Sequence, residues 1–251
     1  MNSIKNNNTG AVILAAGMGK RMQSTMLKVM HVLHDRPLVD YVVGTVEKSG
    51  IEKKPVVVVC ADDPSVQNFL GDRAEYVVQK DRLGTGHAVS MTEEILKGKA
   101  ENIVVLYGDM PFISPESIKR LIARHSERNN TVTMVTFTVP DFNDWRAPFN
   151  SFSRIIRGAD GHIARDVQVK DATPSELEAR ELNPCIYCFK SDWLWENLKK
   201  VGTNNAQKEY YLTDLIQMAI GQGEKISSIL IESKEALGIN TKEDLETAHI
   251  I

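Results

Sequence analysis

The chain has 251 residues, 42% hydrophobic and 25% charged, the balance of a globular protein able to bury a substantial core. With 30 Lys and Arg against 33 Asp and Glu the net charge is −3, which excludes the broad basic surface of non-specific nucleic-acid binding, and three cysteines cannot staple a disulfide framework. No apolar run approaches the ~18 residues of a membrane helix, and the Asn-rich start lacks the apolar centre of a secretory signal. A cytoplasmic protein with no nucleic-acid or membrane partner is therefore expected.

In the first half, short β-branched runs at Ala11–Ala15, Val56–Cys60, Glu75–Gln79, Ile103–Tyr107 and Thr131–Val139 predict buried strands. Between them, helical spacing predicts helices over Pro37–Lys48, Pro64–Leu70, Thr85–Leu96 and Pro115–Arg128. Ser114 before Pro115 supplies a capping hydroxyl and a residue tolerated in the first turn. Near-continuous apolar strands joined by helical crossovers imply a mostly parallel sheet covered on both faces.

The second half predicts a hairpin, Phe152–Arg157 with His162–Lys170, turning at Gly158-Ala159-Asp160-Gly161. A strand over Leu182–Lys190 follows, then a helix from Ser191 carrying Trp193, Leu194 and Leu198. Glu209–Ile220 reads as helix, Ile226–Ile231 as strand and Thr241–Ile250 as a closing helix. One α/β domain with an inserted, more antiparallel lobe is the expected architecture.

Three segments carry chemistry. The first strand runs into Leu14-Ala15-Ala16-Gly17-Met18-Gly19-Lys20-Arg21, where small residues let backbone N–H groups approach an anion. Met22 breaks a dinucleotide fingerprint and the spacing breaks a Walker loop, leaving a tight turn as the plain alternative. The cations Lys20, Arg21 and Lys28, with almost no acid among them, favour a triphosphate. Gln79 precedes Leu83-Gly84-Thr85-Gly86-His87-Ala88, in which two glycines at a helix start expose N–H groups at the positive end of the dipole. A Gln amide can pair with a pyrimidine edge, and His87 reads equally as a packing or a catalytic residue. Tyr107-Gly108-Asp109-Met110-Pro111 places a carboxylate at the C-terminal end of a parallel strand, where α/β sheets bind ligands, and Mg²⁺ is held by one or two such groups plus phosphates. Cys185 and Cys188, three apart in a predicted strand, face opposite ways, which argues against a metal or redox pair. The nine methionines read as gap-fillers of the core.

Together, LAAGMGKRM with Lys28, Gln79 with LGTGHA, YGDMP, VKDAT, Asn183, NNAQKEYYLTD and GINT resemble the sugar-1-phosphate nucleotidylyltransferases. The likeness runs from about Ala11 to Thr241 and is nearest to the uridylyltransferase (pyrophosphorylase) domain of bacterial N-acetylglucosamine-1-phosphate uridylyltransferases. It implies a three-layer, Rossmann-like, mostly parallel sheet with a smaller antiparallel sugar-binding lobe at about 140–190. Residues 11–251 would form a single nucleotidyltransferase domain behind a flexible N-terminus, residues 1–10. Leu14, Ala15, Ala16 and Gly17 would meet the nucleotide, Arg21 and Lys28 the phosphates, and Gln79, Gly84 and Thr85 the uracil. Asp109 and Asn240 would hold Mg²⁺ beside Tyr107 and Gly108, and Asn183 would contact the sugar phosphate. The implied reaction converts UTP and a sugar 1-phosphate into a UDP-sugar and pyrophosphate, a step of cell-wall precursor biosynthesis.

Departures from the family pattern gather on the sugar side. Ser153 stands where the pattern has Gly, Gln168 where it has Glu, and Asn183-Pro184-Cys185 where it has Asn-Thr-Gly. Trp145–Asn150 looks inserted. No hexapeptide repeat follows, so acetyl transfer is not implied. The competing readings are a cytidylyl- or thymidylyltransferase of the same fold and a non-catalytic nucleotide-sugar binding module.

Overall fold

The computed structural model describes residues 8–205 and 207–251. In chain order the elements are β1 (Thr9–Leu14), the two-residue strands β2 (Val32–Leu33) and β3 (Arg36–Pro37), α1 (Leu38–Lys48), β4 (Val56–Cys60), α2 (Ser65–Leu70) and β5 (Glu75–Gln79). Next come α3 (Thr85–Ser90), α4 (Glu93–Leu96), β6 (Asn102–Tyr107), α5 (Pro115–Arg128) and β7 (Val132–Thr138). The second half holds β8 (Arg154–Arg157), β9 (Ile163–Val167), α6 (Pro174–Leu177), β10 (Glu181–Leu182), β11 (Tyr187–Lys190), α7 (Ser191–Leu198), α8 (Asp214–Gly221), β12 (Ile226–Ile231) and α9 (Lys242–Ala248).

Ten strands form one mixed sheet in the order β5-β4-β1-β6-β11-β7-β10-β8-β9, with β12 parallel to β7, while β2 and β3 form a separate antiparallel pair. Strands β5, β4, β1 and β6 are mutually parallel, and their valines and isoleucines are fully buried from β4 through β6, as strands covered on both faces require. Helix α1 packs against α5 and β1, and α3 packs against α7 and β1. The chain leaves β1 toward β4 and β5, then returns to β6 on β1's other side. The C-terminal ends of β1 and β6 therefore flank the switch point, where such sheets form a ligand crevice.

The smaller lobe hangs from the sheet by β10. Strands β8 and β9 pair antiparallel, and Leu182 of β10 lies opposite both Arg154 and Phe137. A 3₁₀ turn over Asp144–Ser151, the inserted-looking stretch, is anchored by buried Phe149 against Phe137 and Phe152, with ring centroids 4.8 and 5.3 Å away. The fully buried Arg154 guanidinium donates to the Phe152, Asn150 and Leu177 carbonyls and ties that turn to the hairpin.

Several boundaries differ from expectation, three of them because backbone or polar groups are used elsewhere, and the expected strand His162–Lys170 runs only over Ile163–Val167. The Thr85–Leu96 helix is two, α3 and α4, divided where the Thr92 hydroxyl donates to the Val89 carbonyl. The Leu182–Lys190 strand is broken into β10 and β11 by Asn183–Ile186, where Cys185 sits at φ +63°. The Glu209–Ile220 helix starts only at Asp214, because the Tyr210 and Leu212 backbone is spent on the loop after β5. Of the expected flexible segment 1–10, residues 1–7 lie outside the described residues, and Thr9 and Gly10 are buried in β1 beside β6.

Candidate functional site

The loop leaving β1 folds back on itself so that cations reach the switch point. Gly19 has φ +62°, and a Cβ there would sit 2.7 Å from the Lys28 Cβ, so the glycine permits both the turn and the approach of Lys28. Met22, fully buried, plugs the loop beneath. Lys28 opens a 3₁₀ turn whose Val29 is also buried. Its ammonium donates to Asp109 Oδ2 and, at 3.0 Å, to Asn240 Oδ1, while Arg21 Nη2 donates to the same Asn240 oxygen at 3.1 Å. Four residues from three distant stretches of chain thus converge. Asp109 follows β6 and is nearly buried, and its carbonyl accepts from Ile239 N at 2.9 Å. That bond carries Asn240 to the site, and Asp244, reaching back to the Asn240 and Thr241 N–H groups, holds the turn as it caps α9.

The Asp109 carboxylate and the Asn240 amide oxygen already point at one cation, the Lys28 ammonium. Two convergent hard oxygens suit a Mg²⁺ that takes its remaining ligands from phosphates and water. No cluster of three or more His, Cys, Asp or Glu side chains occurs among the described residues.

Leu14 and Gly108 are joined by a 2.9 Å bond from Gly108 N to Leu14 O, and Ala15 N donates to Val58 O. Gly17 is exposed, and the Ala16 carbonyl accepts from Arg82 Nε at 3.1 Å, a clamp on the β1 loop that the sequence did not single out. The loop after β5 is fastened just as tightly. Gly84 has φ +108°, and a Cβ would lie 2.6 Å from the Tyr210 carbonyl. Tyr210 N donates to Leu83 O and Gly86 N to Tyr210 O, both at 2.7 Å, and Leu212 N donates to Thr85 Oγ1. The expected free N–H groups at this helix start are thus reduced by one, since Gly86 spends its own on Tyr210. Gln79, nearly buried at the end of β5, donates through Nε2 to Gly84 O at 3.3 Å and meets His87 Nδ1 at 2.9 Å.

Tyr107 joins the two halves of the site. It lies beside Thr85, Cys185 and Asp109, and burial pushes its hydroxyl well above the usual phenol range. Beyond it the lobe contributes a buried polar group. Asn183 donates from Nδ2 to Asp166 Oδ2 at 2.7 Å and to Tyr187 Oη at 2.8 Å, and its Oδ1 accepts from Cys185 N at 2.7 Å. Both amide hydrogens are used, and the residue is 1% exposed, so Asn183 serves here as a strut of the strand break. Burial raises the Asp166 carboxyl to about 6, with the neighbouring Ser153 hydroxyl and Asn183 opposing the shift. Ser153 Oγ and Asp166 Oδ1 nonetheless have no well-aligned hydrogen-bond partner. Sequence reading reached Ser153 and Asn183 but missed Asp166, which shares its strand parity with exposed Ala164, opposite to buried Ile163 and Val167, and so carried no inward signal. Gln168 stands apart from this group. It is exposed, its carbonyl caps a turn with Asp171 N, and its side chain makes no hydrogen bond among the described residues.

A polar cleft of about 630 Å³, lined by Asn8, Glu101, His125, Lys190 and Asp192 among others, opens at the opposite, N-terminal end of β1 and β6. It lies away from the switch point and from every residue just described.

A mixed sheet whose parallel part gathers at its switch point a glycine-bearing loop, two cations, a carboxylate and an amide is the arrangement of a nucleotidyltransferase. The chain belongs to the MobA-like NTP transferase domain family, whose model matches residues 11–205. It is 38% identical over 96% of its length to the bifunctional protein GlmU of an Exiguobacterium species, 42% over 95% to that of Acetivibrio thermocellus, and 35% over 96% to that of Clostridium botulinum. These alignments cover 52%, 50% and 51% of the three relatives, so the chain spans about half their length. No helix among the described residues is long and apolar enough to cross a membrane.

Proposed function

We propose that residues 11–251 act as one domain that forms a UDP-sugar and pyrophosphate from UTP and a sugar 1-phosphate, N-acetylglucosamine 1-phosphate first among the acceptors. The observation that carries this reading is the convergence of Arg21, Lys28, Asp109 and Asn240 beside the Leu14–Gly17 loop. In the proposed reaction a phosphate oxygen of the sugar 1-phosphate attacks the α-phosphorus of UTP, the bond to the bridging oxygen breaks, and pyrophosphate leaves opposite the attacking group. No covalent enzyme intermediate is needed, so the residues position two anions and offset their charge.

Lys28 and Arg21 supply the fixed positive charge toward the triphosphate, where donors held in advance favour the transition state over the ground state. Asp109 and Asn240 would hold Mg²⁺, which when bound neutralises phosphate charge as a Lewis acid. Gln79, Gly84 and Thr85 line the base side, Leu14, Ala15, Ala16 and Gly17 the nucleotide backbone, and Tyr107 with Gly108 the junction. Ser153, Gln168 and Asn183 belong to the acceptor side, Asn183 through the loop it braces. Pyrophosphate release across four nucleoside triphosphates and a panel of sugar 1-phosphates, with and without Mg²⁺, tests the proposal. UTP with a hexosamine 1-phosphate is expected to be the best pair, and absence of release with every acceptor would overturn it.

A further inference from the structure

Gln79 and His87 form a contact with a chemical consequence for the base. The Gly84 carbonyl only accepts, so the Gln79 group 3.3 Å from it is the amide nitrogen. The second hydrogen of that nitrogen then points at His87 Nδ1, 2.9 Å away, which must carry a lone pair, leaving the imidazole proton on Nε2. With both hydrogens spoken for, Gln79 Oε1 is turned away from Gly84 and His87, and it accepts no hydrogen bond among the described residues. The neighbours that hold this pair are themselves fixed. The Gly84 carbonyl belongs to a residue at φ +108° wedged against Tyr210, and the Tyr210 ring lies 6.4 Å from the imidazole.

We infer that His87 is a positioning residue for base selectivity, locking the Gln79 carboxamide so that it offers the base an acceptor and no donor. This rests on the nucleotidyl-transfer reading above. An outward carbonyl oxygen pairs with the N3–H of uracil and opposes the N3 lone pair of cytosine, which would call for the reversed amide. Thymine carries the same N3–H as uracil, so this device separates uracil and thymine from cytosine and leaves the first two alike. Without an acceptor at position 87, the Gln79 amide is held by Gly84 alone and loses part of its preference for one orientation.

The test compares kcat/KM for UTP, CTP and dTTP in the wild type, His87→Leu and His87→Asn, whose amide oxygen can stand near the place of Nδ1. In His87→Leu the UTP:CTP ratio is expected to fall about tenfold, the scale of one mismatched hydrogen bond, while UTP:dTTP stays level. The loss should lie in KM for UTP with kcat little changed, because the base contact is the same before and during phosphoryl transfer. His87→Asn should recover most of the ratio. An unchanged UTP:CTP ratio, or a parallel fall in UTP:dTTP, overturns the inference. In the wild-type protein, nitrogen NMR of the His87 ring near neutral pH should show Nδ1 unprotonated, and a proton on Nδ1 overturns it even where His87→Leu does not fold. A wild type that releases no pyrophosphate from UTP refutes the underlying function instead, and the tautomer measurement stands apart from that result.

Discussion

Asp166 offers a stability measurement that reads the smaller lobe without any substrate. Its carboxyl is 8% exposed, receives one hydrogen bond from Asn183 at 2.7 Å, and leaves Oδ1 without a well-aligned partner. Burial lifts it from 3.8 to about 6. Because the folded value lies above the unfolded one, the favourable contribution is complete below the unfolded value and is lost as pH rises through about 6. Asp166→Asn keeps the shape, keeps an oxygen that accepts from Asn183, and cannot ionise. It should therefore stabilise the protein by ~1 kcal/mol near pH ~4.5 and by ~3 kcal/mol near pH ~8, where the wild type must hold a buried charge. For a chain of this size ~3 kcal/mol corresponds to a rise in Tm of roughly 6–12 °C. Thermal melts of both proteins at the two pH values give the comparison, since other titrating groups cancel between them. A Tm difference that is the same at both values would show that Asp166 is not a strained buried acid.

The remaining predictions concern the proposed chemistry. Asp109→Asn should leave the fold intact, because the Ile239 bond uses the Asp109 backbone, yet remove most pyrophosphate release by deleting the anionic ligand; near-wild-type rates at saturating Mg²⁺ would refute its role. Lys28→Ala should weaken UTP binding and slow turnover by ~2–4 kcal/mol, with Lys28→Arg only partly restoring it, and kinetics indistinguishable from wild type would show that the β1 loop does not cradle triphosphate. The pair Ser153→Gly with Gln168→Glu should raise kcat/KM for N-acetylglucosamine 1-phosphate roughly tenfold and leave the KM for UTP in place. Equal movement of both constants would remove these positions from the acceptor side.

The central strands and helix α5 were legible because local pattern and tertiary demand agree there. The run Val56–Cys60 is buried at every position, and Ser114 accepts from Ser117 N at the start of α5, as its place before Pro115 implied. Legibility failed where backbone groups are spent across the chain. Nothing in the Glu209–Thr213 stretch announces that Tyr210 will pair with Leu83 and Gly86, more than a hundred residues earlier in the chain, instead of starting a helix. Likewise, local pattern placed Asp109 at a strand end but could not bring Asn240 to it. The resemblance supplied that pairing, and the structure supplies the link, the bond from Ile239 N to Asp109 O.

The two sides of the site are also held by different kinds of bond, which bears on where substrate choice resides. On the proposed nucleotide side the fastenings are largely main-chain to main-chain: Gly108 to Leu14, Ala15 to Val58, Gly86 to Tyr210, Ile239 to Asp109. A side-chain substitution leaves such bonds in place unless the new side chain cannot fit, as at Gly84. On the proposed acceptor side the fastenings run through side chains: Asn183 to Asp166 and Tyr187, Gln217 Nε2 to the Asp166 carbonyl, Arg154 to three carbonyls. A single replacement there removes a strut and leaves its partner unsatisfied in a buried place, at ~1–3 kcal/mol. The lobe's pairing with the rest of the sheet is also short, Glu181 and Leu182 against Thr138 and Phe137. On the proposed reading, the same backbone frame keeps its nucleotide corner fixed while Ser153, Asp166 and the Asn183–Cys185 break reset the shape offered to the sugar.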